Sequence, residues 1–203
     1  MKNTLKIYQF KLTLKDIKPV IWRRIQVPEN YSFWALHVAI QDSMGWKDYH
    51  LHNFYMFKPA TRKMVNITFP DEDYRAFNSK NLSSHREKIA KYFSMDNRNA
   101  EYIYDFGDNW EHLVRLEKAL PAKKGVEYPL CIGGERACPP EDCGSIPGYE
   151  NLLKIQSNPK HPEYKSMLKW LGGKFDPEHF DCKEVIFDDP DERWKFATIS
   201  LTE

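Results

Sequence analysis

The 203-residue chain is long enough to bury roughly 70% of its unfolded surface, so it needs neither disulfides nor a metal merely to fold. With 41% hydrophobic and 14% aromatic residues it falls outside the disordered class, and no stretch approaches the roughly 18 apolar residues of a membrane-spanning helix. The formal charge of +1 is unevenly spread: residues 1–100 carry 17 basic and 9 acidic side chains, residues 101–203 carry 13 and 20. Such halves either attract each other, solvate different faces, or give the first half a surface that meets nucleic acid. The start Met1 to Leu5 leads into alternation with charges, the wrong pattern for a signal peptide. The expectation is a cytoplasmic protein that uses no membrane and keeps its four cysteines reduced.

Residues 4–14 alternate around Tyr8, Phe10, Leu12 and Leu14, the period of a half-buried strand. Asp16 to Pro19 reads as a turn and Val20 to Val27 as the return strand, in which Arg23 interrupts an apolar face. Arg23 is expected to be a salt-bridged edge residue, with a functional role as the alternative. Ser32 can cap a helix over Phe33 to Ser43 that Gly45 ends. Leu51 to Phe57 and Met64 to Phe69 suggest two strands around a turn at Lys58 to Lys63. Residues 70–82 look irregular, and Ser84 to Phe93 suggests a short helix.

A second hairpin follows, with Tyr102, Tyr104 and Phe106 on one strand and Trp110, His112, Val114 and Leu116 on the other. Residues 121–148 contain five Pro, five Gly and three Cys, which predicts a long, ordered loop. Helices are expected from Pro147 to Gln156 and from Pro162 to Leu171. Asp176-Pro177 and Asp189-Pro190 each read as a cap followed by a first helical residue, and Asp189 with Glu192 has capping-box spacing. The fold expected is one α+β domain over 1–203: a mostly antiparallel sheet from two β-hairpins and residues 50–69, with helices packed on one face.

Three groups of residues could carry chemistry. Cys131, Cys138 and Cys143, with His112 on the strand leading toward them, make a Cys₃His set that suits Zn²⁺. They are equally read as buried small thiols converging near the end of the second hairpin, or as a redox group. His37, His50 and His52 could form a His₃ metal site, and otherwise satisfy core hydrogen bonds beside aromatics. Asp105, Asp108, Glu111, Glu141 and Asp142 are the densest acidic group; Asp105 and Glu111, on opposite strands of one hairpin, could hold Mg²⁺. A turn wants Asp108-Asn109 with no chemistry at all. Cys182 stands apart from these groups. Asp105-Phe106-Gly107 imitates the metal-binding triplet of kinases, but no Gly-rich loop precedes it and no His-Arg-Asp loop accompanies it.

The segments Tyr102 to His112 (YIYDFGDNWEH) and Cys131 to Gly144 (CIGGERACPPEDCG) resemble the plasmid pRiA4b ORF-3-like family. So do Trp22-Arg23-Arg24, Met44-Gly45-Trp46, His50-Leu51-His52, Gly148-Tyr149 and Phe175-Asp176-Pro177, and the likeness spans nearly the whole chain. Where the usual member has two glycines after the second cysteine of the loop motif, this chain has Gly144-Ser145. Some members are described as resolvase-like proteins of mobile elements; the Ser or Tyr nucleophile amid several Arg that resolvase chemistry needs is not identifiable here. The resemblance and the basic first half together lead to the expectation of a non-enzymatic binding or adaptor domain for nucleic acid or another protein, associated with mobile elements. The alternative is a metal-dependent phosphoester hydrolase with Asp105, Asp108 and Glu111 at the cation and His112 as general base.

Overall fold

The computed structural model describes residues 5–69 and 81–199. Most of the segment expected to be irregular, residues 70–80, lies outside the described residues. The chain is α+β, with one eight-stranded sheet and four α-helices among the described residues: β1 (Lys6–Leu14), β2 (Trp22–Pro28), α1 (Phe33–Met44), β3 (His52–Lys58), β4 (Lys63–Thr68), β5 (Leu82–Ser83), β6 (Asn99–Tyr104), β7 (Trp110–Pro121), β8 (Leu130–Glu135), α2 (Ser145–Ser157), α3 (Tyr164–Leu171) and α4 (Pro190–Ile199). Strand order is β5-β4-β3-β6-β7-β1-β2-β8. Every pairing is antiparallel except the short β4–β5 contact.

Alternation along the central strands separates two faces. Phe10, Leu12 and Leu14 of β1, Ile25 and Val27 of β2, and Val114 and Leu116 of β7 point into a continuous core. Helix α1 lies over that core. Ser32 caps it, its Oγ accepting from the Ala35 N–H at 3.1 Å, and Gly45 closes it at φ 90°. Nearly every α1 residue is buried, because α4 packs on its other side. There Trp34 Nε1 donates to the Pro190 carbonyl at 2.8 Å, and its ring meets Trp194 at 5.1 Å. The Asp189 side chain caps α4 through the Asp191 and Glu192 N–H groups, at the position its sequence spacing indicates.

Four local expectations are corrected. The 121–148 loop is partly sheet: β7 runs to Pro121, and Leu130–Glu135 pairs with β2 as an edge strand. Two glycines in that strand look like breakers, but one of them, Gly134, is required by packing. A Cβ at Gly134 would come within 2.4 Å of the Phe180 ring and 2.8 Å of the Trp22 carbonyl. Arg23 is consequently not on an edge and has no ion pair among the described residues. It is 1% exposed, donates to the Ser43, Trp22 and Glu135 carbonyls, and lies 3.8 Å from the Phe180 ring centroid. Between Ser84 and Phe93 there is only a 3₁₀ turn at Ile89–Lys91. Asp176-Pro177 starts no helix; Asp176 Oδ1 accepts from the Glu178 N–H in a local turn.

Candidate functional site

The proposed thiol ligands share the core without forming a donor set. Cys131 sits in β8 and Cys138 is buried in the loop after it, while Cys143 and Cys182 are partly buried against the same core. His112 is fully buried, with Nδ1 3.0 Å from the Trp110 carbonyl oxygen and no hydrogen-bond partner for Nε2. Among the described residues, His112, Cys131, Cys138 and Cys143 do not come together within metal-ligand reach. Burial pushes the thiols of Cys131 and Cys138 up, and that of Cys143 up to about 12, so as free groups they stay protonated. Burial also pulls His112 down to about 4, so its imidazole is neutral and shielded rather than placed as a general base.

The acidic and histidine groups are redistributed in the same way. Glu111 accepts from Lys15 Nζ and from Asn109 Nδ2, each at 3.0 Å, on the face of β7 away from the core. Asp108 Oδ2 accepts from the Gly144 N–H at 3.0 Å and so ties the hairpin turn to the start of α2. These two carboxylates therefore do not join Asp105 at one cation. His37 and His52 stack in the core at 3.7 Å, and His37 contacts Tyr102 and Asp48 at 2.8 and 2.7 Å. His50 leaves them, because it precedes β3 and turns toward Asp142 at 2.8 Å and Asp105 at 3.7 Å. His50, Asp105 and Asp142 each offer a donor atom within 4.8 Å of the other two, the one such group among the described residues. Beside them Glu141 accepts from the Lys47 N–H at 2.8 Å and the Tyr104 hydroxyl at 3.0 Å, and burial raises its carboxyl.

The sheet face away from α1 carries a second feature. One rung runs Asn99–Arg115–Lys11–Arg24–Gly133 across five adjacent strands. Residues directly opposite in a sheet lie about 5 Å apart, and like charges there destabilise it. Three cations nonetheless occupy consecutive places. With Arg98 and Lys118 they line an open groove of about 680 Å³. Glu117 is the acid of this groove. Arg24 grips it through Nε at 2.7 Å and Nη2 at 2.9 Å, and Gln9 donates to it at 2.9 Å; the Arg24 bond is the main cause holding its carboxyl below the usual range. Lys11, Arg98, Arg115 and Lys118 have no ion pair among the described residues. The half-buried Trp22 ring lies beside the groove, with Lys11 Nζ 4.9 Å and Arg24 Cζ 5.0 Å from its centroid.

The basic excess of the first half is visible in the sequence, but the groove itself is not. Lys11 and Arg24 do fall at outward positions of their strands, which was a usable signal. The pairing of β1 with β7 that brings in Arg115 and Lys118 contains a bulge between Gln9 and Phe10, and no local pattern announces it.

Comparison with known proteins agrees with the motifs. The family described as plasmid pRiA4b ORF-3-like protein matches residues 6–184. The chain is 33% identical over 171 residues to "Uncharacterized protein y4hQ" of Sinorhizobium fredii (strain NBRC 101917 / NGR234), covering 82% of this chain and 81% of that one. It is similar to the crystal structure of a protein of unknown function, MM3350, from Methanosarcina mazei Go1. That likeness has a TM-score of 0.84 and 49% identity, covering 91% of this chain and 100% of the other. His50, Asp105 and Asp142 fall in three separate segments that carry the family motifs, and Arg24 falls in a fourth. The chain belongs to the plasmid pRiA4b ORF-3-like protein family.

Proposed function

We propose that the protein is a binding domain for nucleic acid, held through the phosphate backbone in the basic groove on the open face of the sheet. The observation that carries this reading is the Arg115–Lys11–Arg24 rung, a like-charge row inside a chain of formal charge +1. Arg24 is satisfied by Glu117, which leaves Lys11 and Arg115 as adjacent like charges with no ion pair among the described residues, and a polyanion relieves them. A groove spanning β7, β1, β2 and β8 is roughly 15 Å across at about 4.8 Å per strand, a width that takes one sugar–phosphate strand. The preferred ligand is therefore a single strand, bound without sequence discrimination.

The test uses fluorescence anisotropy with labelled oligothymidylate, oligouridylate and a duplex in low salt. Wild type is expected to bind the single strands, and the double variant Lys11→Glu/Arg115→Glu to lose at least about tenfold in affinity. That change reverses two of the contacts that set phosphate binding. Lys183→Glu, outside the groove, should bind like wild type. Circular dichroism confirms that the folds match, since both altered groove residues lie on the open face. Equal binding by the double variant and wild type removes the groove from the account, and preference for the duplex overturns the single-strand reading.

A further inference from the structure

We infer that His50, Asp105 and Asp142 form a binding site for a divalent transition cation, independent of the basic groove. The three donors come from the approach to β3, the end of β6 and the loop before α2. A mixed imidazole–carboxylate set suits Mn²⁺, Zn²⁺ or Fe²⁺ better than the all-oxygen preference of Mg²⁺ and Ca²⁺. Donors about 2.1 Å from a cation lie at most about 4.2 Å apart. His50 Nε2 lies 2.8 Å from Asp142 and 3.7 Å from Asp105, both inside that limit, so any closure falls on the Asp105–Asp142 pair, which is within 4.8 Å. Asp142 can supply this movement, because its side chain is 63% exposed.

A second observation points to a ligand at this place. The Asp105 side chain is only 9% exposed. Its Oδ1 accepts from the Gly107 N–H at 2.8 Å, while Oδ2 faces the His50 ring nitrogen at 3.7 Å and has no hydrogen bond among the described residues. No Lys or Arg pairs with it among the described residues. A largely enclosed carboxylate whose Oδ2 is faced only by a ring nitrogen 3.7 Å away has room for a cation between Oδ2, His50 and Asp142. Asp142 also borders an open cleft of about 340 Å³ together with Lys47, Tyr49, Glu141, Trp170 and Leu171. Three protein ligands leave coordination positions open, and Asp142 is the ligand that borders the cleft. The ligand class that would complete the site is a small oxyanion, with oxygen on the cation and Lys47 available to its charge.

Titration calorimetry of chelator-treated, full-length protein with Mn²⁺ tests the site. Mn²⁺ is chosen because it competes poorly for the four cysteine thiols. One Mn²⁺ per chain is expected, bound more tightly than Mg²⁺, with the affinity reduced at least about tenfold in Asp105→Asn and in His50→Gln. Asn tolerates the positive φ that Asp105 and Asp142 both adopt, so the backbone is kept. Asp142→Asn changes an exposed side chain and keeps the test decisive if Asp105→Asn fails to fold. The triple variant Cys131→Ser/Cys138→Ser/Cys143→Ser should bind Mn²⁺ as wild type does. Absence of stoichiometric binding at millimolar Mn²⁺, or wild-type affinity in both His50→Gln and Asp142→Asn, overturns the site.

Discussion

Between pH 6.5 and about 4 the protein is expected to lose roughly 3 kcal/mol of stability through His112 alone. Its folded-state pKa lies at about 4 against an ordinary 6.5, with burial the leading cause, and each unit corresponds to about 1.4 kcal/mol. The sign follows from proton counting. Above pH 6.5 neither state binds the proton; below it the unfolded chain does and the native state refuses it, so stability falls with pH. His52, lowered by burial and then by the adjacent His37, adds to the loss. Glu111 and Glu117, lowered chiefly by their bonds to Lys15 and Arg24, contribute losses only below about 4.5. Asp42 and Glu141, raised by burial, act in the opposite direction. Urea unfolding at several pH values, compared between wild type and His112→Gln, isolates the term. The variant should show a shallower loss between pH 6.5 and 5; identical slopes would mean that His112 is hydrated in the native state.

Gly148→Ala is expected to destabilise by about 3 kcal/mol or more, at the upper end of overpacking effects. The added Cβ would come within 2.0 Å of the Cys143 carbonyl oxygen and 2.9 Å of its carbon. Both are backbone atoms in the turn that leads into α2, so no side-chain rotation relieves the clash. At roughly 2–4 °C per kcal/mol for a chain of this size, the melting temperature should fall by about 6 °C or more. Gly45→Ala provides the contrast, since its Cβ meets nothing within 4 Å. There only the left-handed conformation at φ 90° is strained, which costs about 1–2 kcal/mol. A thermal melt in which Gly148→Ala is the milder of the two would contradict the packing described for the start of α2.

Much of the fold was legible because it is encoded locally. Period-two alternation marked β1, β2, β6 and β7, and Ser32 with Gly45 bounded α1 nearly to the residue. Strand β8 was hidden because Gly133 and Gly134 read as breakers, while the reason for glycine at 134 is the distant Phe180 ring and the Trp22 carbonyl. Arg23 was assigned to an edge because nothing in its neighbourhood announces that β8 covers β2. The candidate sites failed in the same respect. Asp105 and Glu111 were grouped by hairpin proximity, but Asp105 sits at φ 56°, just past the end of β6, and the strand alternation no longer sets its direction. His50 was grouped with His52 on the assumption that both lie in one strand, and β3 begins only at His52. Convergence of residues 50, 105 and 142 depends on the tertiary path of three separated segments, which periodicity does not encode.

The salt dependence of single-strand affinity tests the central claim most directly. Four groove cations, Lys11, Arg98, Arg115 and Lys118, lack an ion pair among the described residues, and each phosphate neutralised on a single strand contributes about 0.7 to the slope of log affinity against log salt. The groove therefore predicts that affinity for oligothymidylate falls with a slope of about −3 between about 50 and 200 mM salt, and that Lys11→Glu/Arg115→Glu flattens it. No binding at about 50 mM salt, or binding whose strength is indifferent to salt, would contradict the account.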